Sequence, residues 1–282
     1  KSTLVKLIPR IYDCASGSIR IDGSDTRQMP LRLLRELIGY VDQEPFLFSD
    51  TIGENIAFGA GTATKEEIDR AAATAGLESD CKIFPHGLDT LIGERGVTLS
   101  GGQKQRVALA RAIIKRPKVL ILDDAFSNLD ADTEERVFTN IREAFKDTTV
   151  IIISHRISIA RKTDRIALMN DGRIVEVGTH DELVSQSGLY NRIYKQQLFL
   201  EKGCIACHKI PGIAAAVGTI GPNLAGLMSR PTMAAGKLKP TAENLHKWIT
   251  NPKAVKPDTL MAPLPMTPQE LDAMVTFLLT LK

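Results

Sequence analysis

The sequence predicts an α/β domain with a largely parallel sheet, followed by a smaller helical domain. Three observations carry this reading. Apolar β-like runs alternate with helical patterns as far as about Gln197, and such alternation builds parallel sheets covered by helices. A glycine-rich turn, Leu99-Ser100-Gly101-Gly102-Gln103, stands twenty residues ahead of the apolar run Val119-Leu120-Ile121-Leu122-Asp123-Asp124. Beyond Leu198 the β-branched strands vanish, and Pro and Met become frequent.

The elements follow in order. Residues 18–23 read as strand and turn, 31–38 as a short helix and 39–42 as a strand. A helix over 103–115 is stopped by Pro117 just before the 119–122 strand. Residues 132–145 form a helix and 148–154 a strand. The runs 166–169 and 173–177 flank Asn170-Asp171-Gly172, a hairpin turn signal. Residues 191–202 contain neither Pro nor Gly and read as continuous helix. Helical patterns return at 243–250 and 268–281. The latter is apolar at Leu271, Met274, Val275, Leu278 and Leu279, one buried face. A domain of ~80 residues with little strand needs something to fill its core.

Hydrophobic content of 43% and charged content of 24% exclude a disordered chain. Residues 201–282 hold nine basic against five acidic side chains, so the small domain is basic while the first 200 residues are near neutral. That balance suits an acidic partner or simply a solvated surface. No apolar run approaches the ~20 residues of a membrane helix, and no signal peptide is visible. Four cysteines make no disulfide framework in a chain of 282 residues, and Cys14 and Cys81 read as incidental thiols. His86 and His180 read as loop or cap histidines. Lys104, Arg106 and Arg111 read as the exposed face of a helix rather than a nucleic-acid patch.

Two patterns in the first part carry chemistry. The turn at 99–103 opens a helix, where backbone N–H groups can face a phosphate. The strand ending in Asp123 and Asp124 is a usual perch for a Mg²⁺ ligand and a water-orienting carboxylate. With these residues the chain resembles the ATPase domain of an ABC transporter, a P-loop NTPase. Lys1-Ser2-Thr3 looks like the end of the P-loop, with Lys1 reaching phosphates and Ser2 ligating Mg²⁺. Gln43 matches the Q-loop, Leu99 to Gln103 the signature, and Asp123 the metal ligand. Ser127-Asn128-Leu129-Asp130 matches the D-loop and His155 the switch histidine. Gly93-Glu94-Arg95-Gly96 further resembles the exporter branch. The resemblance implies ATP and Mg²⁺ as ligands, a cytoplasmic-face location and a transporter membrane domain as partner. It also implies a second ATPase domain, identical or different, packed head to tail. Ser100, Gly101 and Gly102 would then serve the partner's ATP, and a lone copy would be nearly inactive.

Two departures qualify it. The glycine-rich front of the P-loop would precede Lys1, so the resemblance implies a domain truncated at its start that binds ATP poorly. Position 124 is Asp where the family usually carries a catalytic Glu. The carboxylate then sits about one methylene short of the attacking water, and misplacement near 1 Å can cost ~10²-fold. Two expectations stand: a degenerate site completed by a heterologous partner, or a tolerated substitution.

Cys204-Ile205-Ala206-Cys207-His208 reads as covalent haem attachment. Zinc would want two further soft ligands, but no Cys follows and His246 is the only later His. A redox dithiol lacks its βαβ context. The remaining words resemble a class I cytochrome c, an all-α domain, and especially the haem domain of cytochrome c oxidase subunit II. Gly221-Pro222-Asn223-Leu224 looks like the turn against the His-side haem face. Lys256-Pro257-Asp258-Thr259-Leu260-Met261 looks like the loop that delivers the sixth ligand. The resemblance implies haem c held by Cys204 and Cys207, with His208 and Met261 on the iron, Met266 as competitor, and a redox partner protein. Met228, Met233, Met274 and Trp248 read as packing.

The domains are expected at 1–197 and 198–282, with the seam within 195–200. Their compartments conflict: ATP chemistry belongs to the cytoplasmic face, whereas haem attachment belongs to the periplasmic or extracytoplasmic side. A composite of two unrelated parts is therefore expected, with a genuine bifunctional chain as the other possibility.

Overall fold

The structure, a computed structural model, describes residues 1–93, 97–210 and 213–281. Glu94, Arg95 and Gly96 of the exporter-like word lie outside the described residues. The chain divides into two compact units, residues 1–159 and 160–282.

The first unit runs α1 (Ser2–Lys6), β1 (Arg20–Ile21), β2 (Ser24–Asp25), α2 (Leu31–Glu36), β3 (Ile38–Val41), α3 (Ile52–Ala57), α4 (Lys65–Thr74) and α5 (Glu78–Cys81). It continues with α6 (Gly101–Ile113), β4 (Val119–Asp123), α7 (Ala131–Ala144), β5 (Thr149–Ile153) and α8 (Ile157–Ala160). Strands β3, β4 and β5 form a parallel sheet with β4 in the middle. Every residue of β4 is buried, as expected of a parallel strand covered on both faces. Side chains alternate across it. Leu120 and Leu122 join the large core that holds Val107, Leu109 and Val137 from α6 and α7. Val119 and Ile121 face the smaller cluster of Val5, Leu34 and Ile38. The expected helix over 31–38 ends at Glu36, because Ile38 enters the sheet opposite Val119. Outside the β3–β5 sheet, the described strands pair antiparallel as two-stranded ribbons, so the parallel character is confined to the sheet that carries the acids.

The second unit holds β6 (Ile166–Asn170), β7 (Arg173–Gly178), α9 (His180–Ser185), α10 (Leu189–Glu201), α11 (Ala242–Thr250), α12 (Pro252–Val255) and α13 (Pro268–Leu278). The β6–β7 hairpin turns through Asp171 and Gly172, both at positive φ (47° and 76°). That is the backbone a tight two-residue hairpin demands, and it explains the Asp-Gly pair. The last eighty residues are not clearly all-α. Besides helices they contain 3₁₀ turns at Cys204–Ala206 and Leu227–Ser229 and isolated antiparallel bridges, Lys209 to Val217 and Met233 to Leu238. The reason is local: residues 207–240 are rich in Gly, Pro and Ala and lack a helical apolar period. Helix α13 keeps its expected face, with Met274, Val275 and Leu278 buried, and its start is fixed by a Thr267–Glu270 capping box.

Candidate functional site

The parallel sheet gathers the first candidate site at its carboxyl edge. Asp123 is the last residue of β4, Gln43 follows β3 by two residues, and His155 follows β5 by two. Open α/β sheets bind ligands at this edge. Asp123 is only 1% exposed, and both its oxygens accept hydroxyls. The Ser2 Oγ donates to Oδ1 at 3.0 Å and the Tyr40 hydroxyl donates to Oδ2 at 3.2 Å. Burial and the Asp123 and Asp42 carboxylates push the Tyr40 phenol far above its ordinary value, so it stays a donor. Lys1 Nζ lies 3.3 Å from His155 Nδ1. Lys1, Ser2, Asp123 and His155 are thus brought together from three separate elements, although 153 residues separate Ser2 from His155 in sequence. Thr3 is exposed on α1, and Gln43 is exposed with its own N–H held by Asp42 Oδ1. Among the described residues, the Gln43 and Asp124 side chains are not hydrogen-bonded to this group. Asp124 has a left-handed backbone, φ 52°, in the class of conformations that cluster at functional sites.

The signature forms a capping box. Ser100 Oγ accepts from the Gln103 N–H, and Gln103 Oε1 accepts from the Ser100 N–H. The two glycines are there for approach rather than for backbone freedom. A Cβ on Gly102 would stand 2.8 Å from the Asn128 carbonyl oxygen, and one on Gly101 would meet the Asn128 side chain. The loop Ser127–Asp130 therefore lies directly against the signature. Asp130 closes that loop by capping α7 through the Thr133 N–H, a bond that lowers its carboxyl pKa.

Sequence reasoning missed two residues here. Asp80, buried on the short helix α5, accepts from Gln103 Nε2 at 2.9 Å and pairs with Arg106 at 2.6 Å. Gln105, 1% exposed, bonds the 124–128 loop. The expected exposed face of α6 is corrected with them. Only Lys104 is exposed; Arg106 is sunk against Asp80, and Arg111 is half-buried. Arg111 donates to the Asn55 and Phe46 carbonyls and lies over the Phe48 ring at 5.3 Å. Guanidinium stems bury readily where carbonyls and rings receive the head.

The second candidate site lies in the other unit. Cys204 and Cys207 flank a 3₁₀ turn and are free thiols. Burial pushes the Cys204 thiol up to about 11, the opposite of the lowered pKa of a reactive dithiol. His208 Nδ1 lies 2.8 Å from the Pro222 carbonyl, which can only accept, so Nδ1 carries a proton and points away from any ligand at Nε2. A Cβ on Gly221 would stand 2.5 Å from the His208 ring, so glycine there is a cradle for the imidazole. Met261 is half-buried with its N–H bonded to Thr259 Oγ1. Large apolar side chains nearby in sequence are left open: Val217 at 69%, Ile220 at 68% and Leu260 at 86% exposed. Thiols, an imidazole and open apolar loops are the donor set and surface that a haem would use. Met233 and Met274 are core residues, as expected.

Comparison with known proteins matches both parts. Residues 1–127 match the family model for the ABC transporter, and residues 196–282 that for cytochrome c. The "Putative multidrug export ATP-binding/permease protein YgaD" of Bacillus subtilis is 47% identical over 197 residues, 70% of this chain and 34% of its own length. ABC transporter B family member 19 of Arabidopsis thaliana is 47% identical over 197 residues, 70% of this chain and 16% of its own. The mitochondrial ATP-binding cassette sub-family B member 10 of Mus musculus is 45% identical over 204 residues, covering 71% and 28%. The solved structure of a bacterial Atm1-family ABC exporter with ATP bound aligns with TM-score 0.67 and 42% identity, over 70% of this chain and 35% of that one. The chain thus spans about a third or less of the length of these relatives. It carries an ABC transporter ATP-binding domain of the exporter type, followed by a domain that matches the cytochrome c family.

Proposed function

We propose that residues 1–197 are one ATPase half of an export machine and that residues 198–282 are an electron-carrying haem domain. The observation that supports the first part is the meeting of Ser2, Tyr40 and Asp123 at the carboxyl edge of the sheet, beside Lys1 and His155. Ser2 and Asp123 would hold Mg²⁺, Lys1 and Thr3 would bind phosphate oxygens, and Gln43 would complete the metal's surroundings. Asp124 would orient the attacking water and His155 would steady the γ-phosphate. Phosphoryl transfer asks mostly for such positioning and charge neutralisation. Ser100 to Gln103, with Asp130 behind them, would cover the nucleotide of a second ATPase domain. The exposed aromatics Phe46 and Phe58 beside Arg111 offer the transporter's membrane domain a place to dock. The test is Mg²⁺-dependent nucleotide binding with an added exporter ATP-binding domain. Loss of it in Asp123→Asn supports the reading; wild-type binding in that variant overturns it.

The observation that supports the second part is His208, locked by Pro222 and cradled by Gly221. Cys204 and Cys207 would anchor haem through thioethers, with His208 and Met261 holding the iron and Met266 as the competing thioether. A haem so held supplies one-electron transfer. The words at 221–224 and 256–261 suit the haem domain of cytochrome c oxidase subunit II. A red chain whose colour survives denaturation, and fades in Cys204→Ala or Cys207→Ala, supports this; a colourless chain from a haem-attaching host sinks it. Met261→Leu, and not Met266→Leu, should abolish the thioether–iron absorption band.

The two halves belong to opposite faces of a membrane, and among the described residues no helix is long and apolar enough to cross one. We therefore read the chain as a composite, with electron transfer alone and a passenger ATPase part as the second reading. Amplifying source DNA across the codons for Tyr190 to Ala206 decides it. One contiguous product makes the joint real, and failure while each half amplifies makes the parts unrelated.

A further inference from the structure

One buried, fully hydrogen-bonded side chain near the carboxyl edge of the sheet is not used by the reading above. Gln105 lies on α6, two residues past the signature, and is 1% exposed. Its Nε2 donates to Ser127 Oγ at 3.0 Å and to the Asp124 carbonyl at 3.4 Å, and its Oε1 accepts the Asn128 N–H at 3.2 Å. Both amide protons and the oxygen are therefore committed to a single loop. A buried amide that only filled space would leave such groups costly and unmatched. These partners lie at and just after the left-handed Asp124, whose carbonyl also accepts the Ser127 N–H at 3.1 Å.

The other face of the same loop touches the signature. Asn128 packs on Gly101 and Gly102 so closely that a Cβ at either would collide or crowd it. The loop thus has two grips on α6, one through backbone contact at the glycines and one through the Gln105 amide. A shift of the helix start is passed to the Asp124 carbonyl through a buried side chain rather than through solvent.

We propose that Gln105 is a positioning residue that couples the signature helix to Asp124. A nucleotide held by Ser100 to Gln103 on a second domain is thereby sensed at this chain's own water-orienting carboxylate. This rests on the ATPase reading and adds a wire between two sites, each of which that reading already uses. Nothing in the coupling requires Gln105 to touch nucleotide.

The test pairs the full-length chain with the ATP-binding domain of an Atm1-type exporter and follows Mg²⁺-ATP turnover and fluorescent-nucleotide affinity. Gln105→Met removes all three bonds at similar volume. Gln105→Glu keeps the acceptor for the Asn128 N–H and loses the donor to the Asp124 carbonyl. In both variants turnover should fall ~10- to 100-fold, as for an active-site group displaced by a fraction of an ångström to 1 Å. Affinity should stay within about twofold, because binding groups are untouched. Cooperativity between the two sites should be lost. Amide exchange at Asn128 should quicken in Gln105→Met and stay slow in Gln105→Glu. Unchanged turnover in Gln105→Glu overturns the proposal, as does a parallel fall of affinity and melting temperature in both variants, which marks a plain core residue. A wild-type pair with no Mg²⁺-dependent turnover removes the ATPase reading itself, and the coupling falls with it.

Discussion

Asp80→Ala tests how the signature is held. The Asp80 carboxylate is 7% exposed and takes two bonds to charged or polar donors, Gln103 Nε2 at 2.9 Å and Arg106 Nη2 at 2.6 Å. Both side chains of the ion pair are about one-tenth exposed. Bonds to a charged group contribute about 1.5–3 kcal/mol each. Truncation also leaves the Arg106 guanidinium buried without its counter-charge, and breaking a buried pair this way costs about 3–5 kcal/mol. The two routes agree on about 3–5 kcal/mol, which for a unit of this size lowers its melting temperature by roughly 6–20 °C. Because the chain has two compact units, a single melting curve mixes them. The assay is therefore denaturant-dependent amide exchange read separately over α6 and α13. Exchange over α6 should rise with that free energy while α13 stays as in the wild type. Asp80→Asn retains an acceptor and should fall between. A loss below about 1 kcal/mol over α6 would falsify the buried-pair argument, since surface pairs contribute that little.

Gly221→Ala forces the His208 ring from its place, so the Pro222 bond breaks at about 1–3 kcal/mol of overpacking; NMR of the ring should show both tautomers, and a single Nδ1–H tautomer would refute the cradle. Leu198→Ala, at a position 1% exposed in α10, should cost about 2–5 kcal/mol and speed exchange in both β7 and α13. A change confined to one of them would mean that α10 does not join them. Glu270 is pushed up by burial but pulled further down by the Lys202 ammonium and the Thr267 N–H. Its folded value is below the ordinary 4.5, so its stabilisation is complete above that pH and lost as pH falls through the folded value. Acid titration of the α13 amides should show this loss below pH 4.5, and Lys202→Met should shrink it.

Much of the first unit was legible because period and punctuation agree there. The β4 run reads as a buried strand since all five residues are apolar or terminal acid, and Pro117 marks the break before it. Ser100 with Gln103 three residues on is a capping box in plain sequence. What sequence could not supply is partners far along the chain. Asp80 sits among Glu78 and Cys81 with no periodicity, and its partners are 23 and 26 residues away. Gln105 and Arg106 look like solvent residues on a polar helix face. The signal that could have raised suspicion is local: uncharged Gln105 interrupts Lys104 and Arg106, just where the glycines invite another backbone. In the last eighty residues, helices α11 and α13 have a face to read, whereas residues 213–240 take their shape from turns. Ala234 and Ala235 at φ 51° and 56° are conformations that alanine does not advertise.

The expected seam falls inside a single helix. Helix α10 runs unbroken from Leu189 to Glu201 across the expected seam. At its start the Glu176 carboxylate from β7 accepts the Leu189 and Tyr190 N–H groups, and Tyr190 bonds His180 of α9 at 2.9 Å. At its end Phe199 meets Phe277 of α13 edge-on at 6.0 Å, and Lys202 pairs with Glu270 at 2.8 Å. Tyr190, Tyr194 and Leu198 recur every four residues and are buried, with Phe199 beside them. That spacing is what a closing helix of one domain and an opening helix of another both require, one apolar stripe along a single face. The same residues satisfy each, which is why no linker composition is present to mark a boundary. It also means that neither half can be cut away at residues 195–200 without stripping cover from Tyr194, Leu198 or Phe199. The compact unit accordingly begins at Ala160, well before the change in composition. Structurally, the hairpin β6–β7, α9 and the cytochrome-like helices share one compact unit with α10.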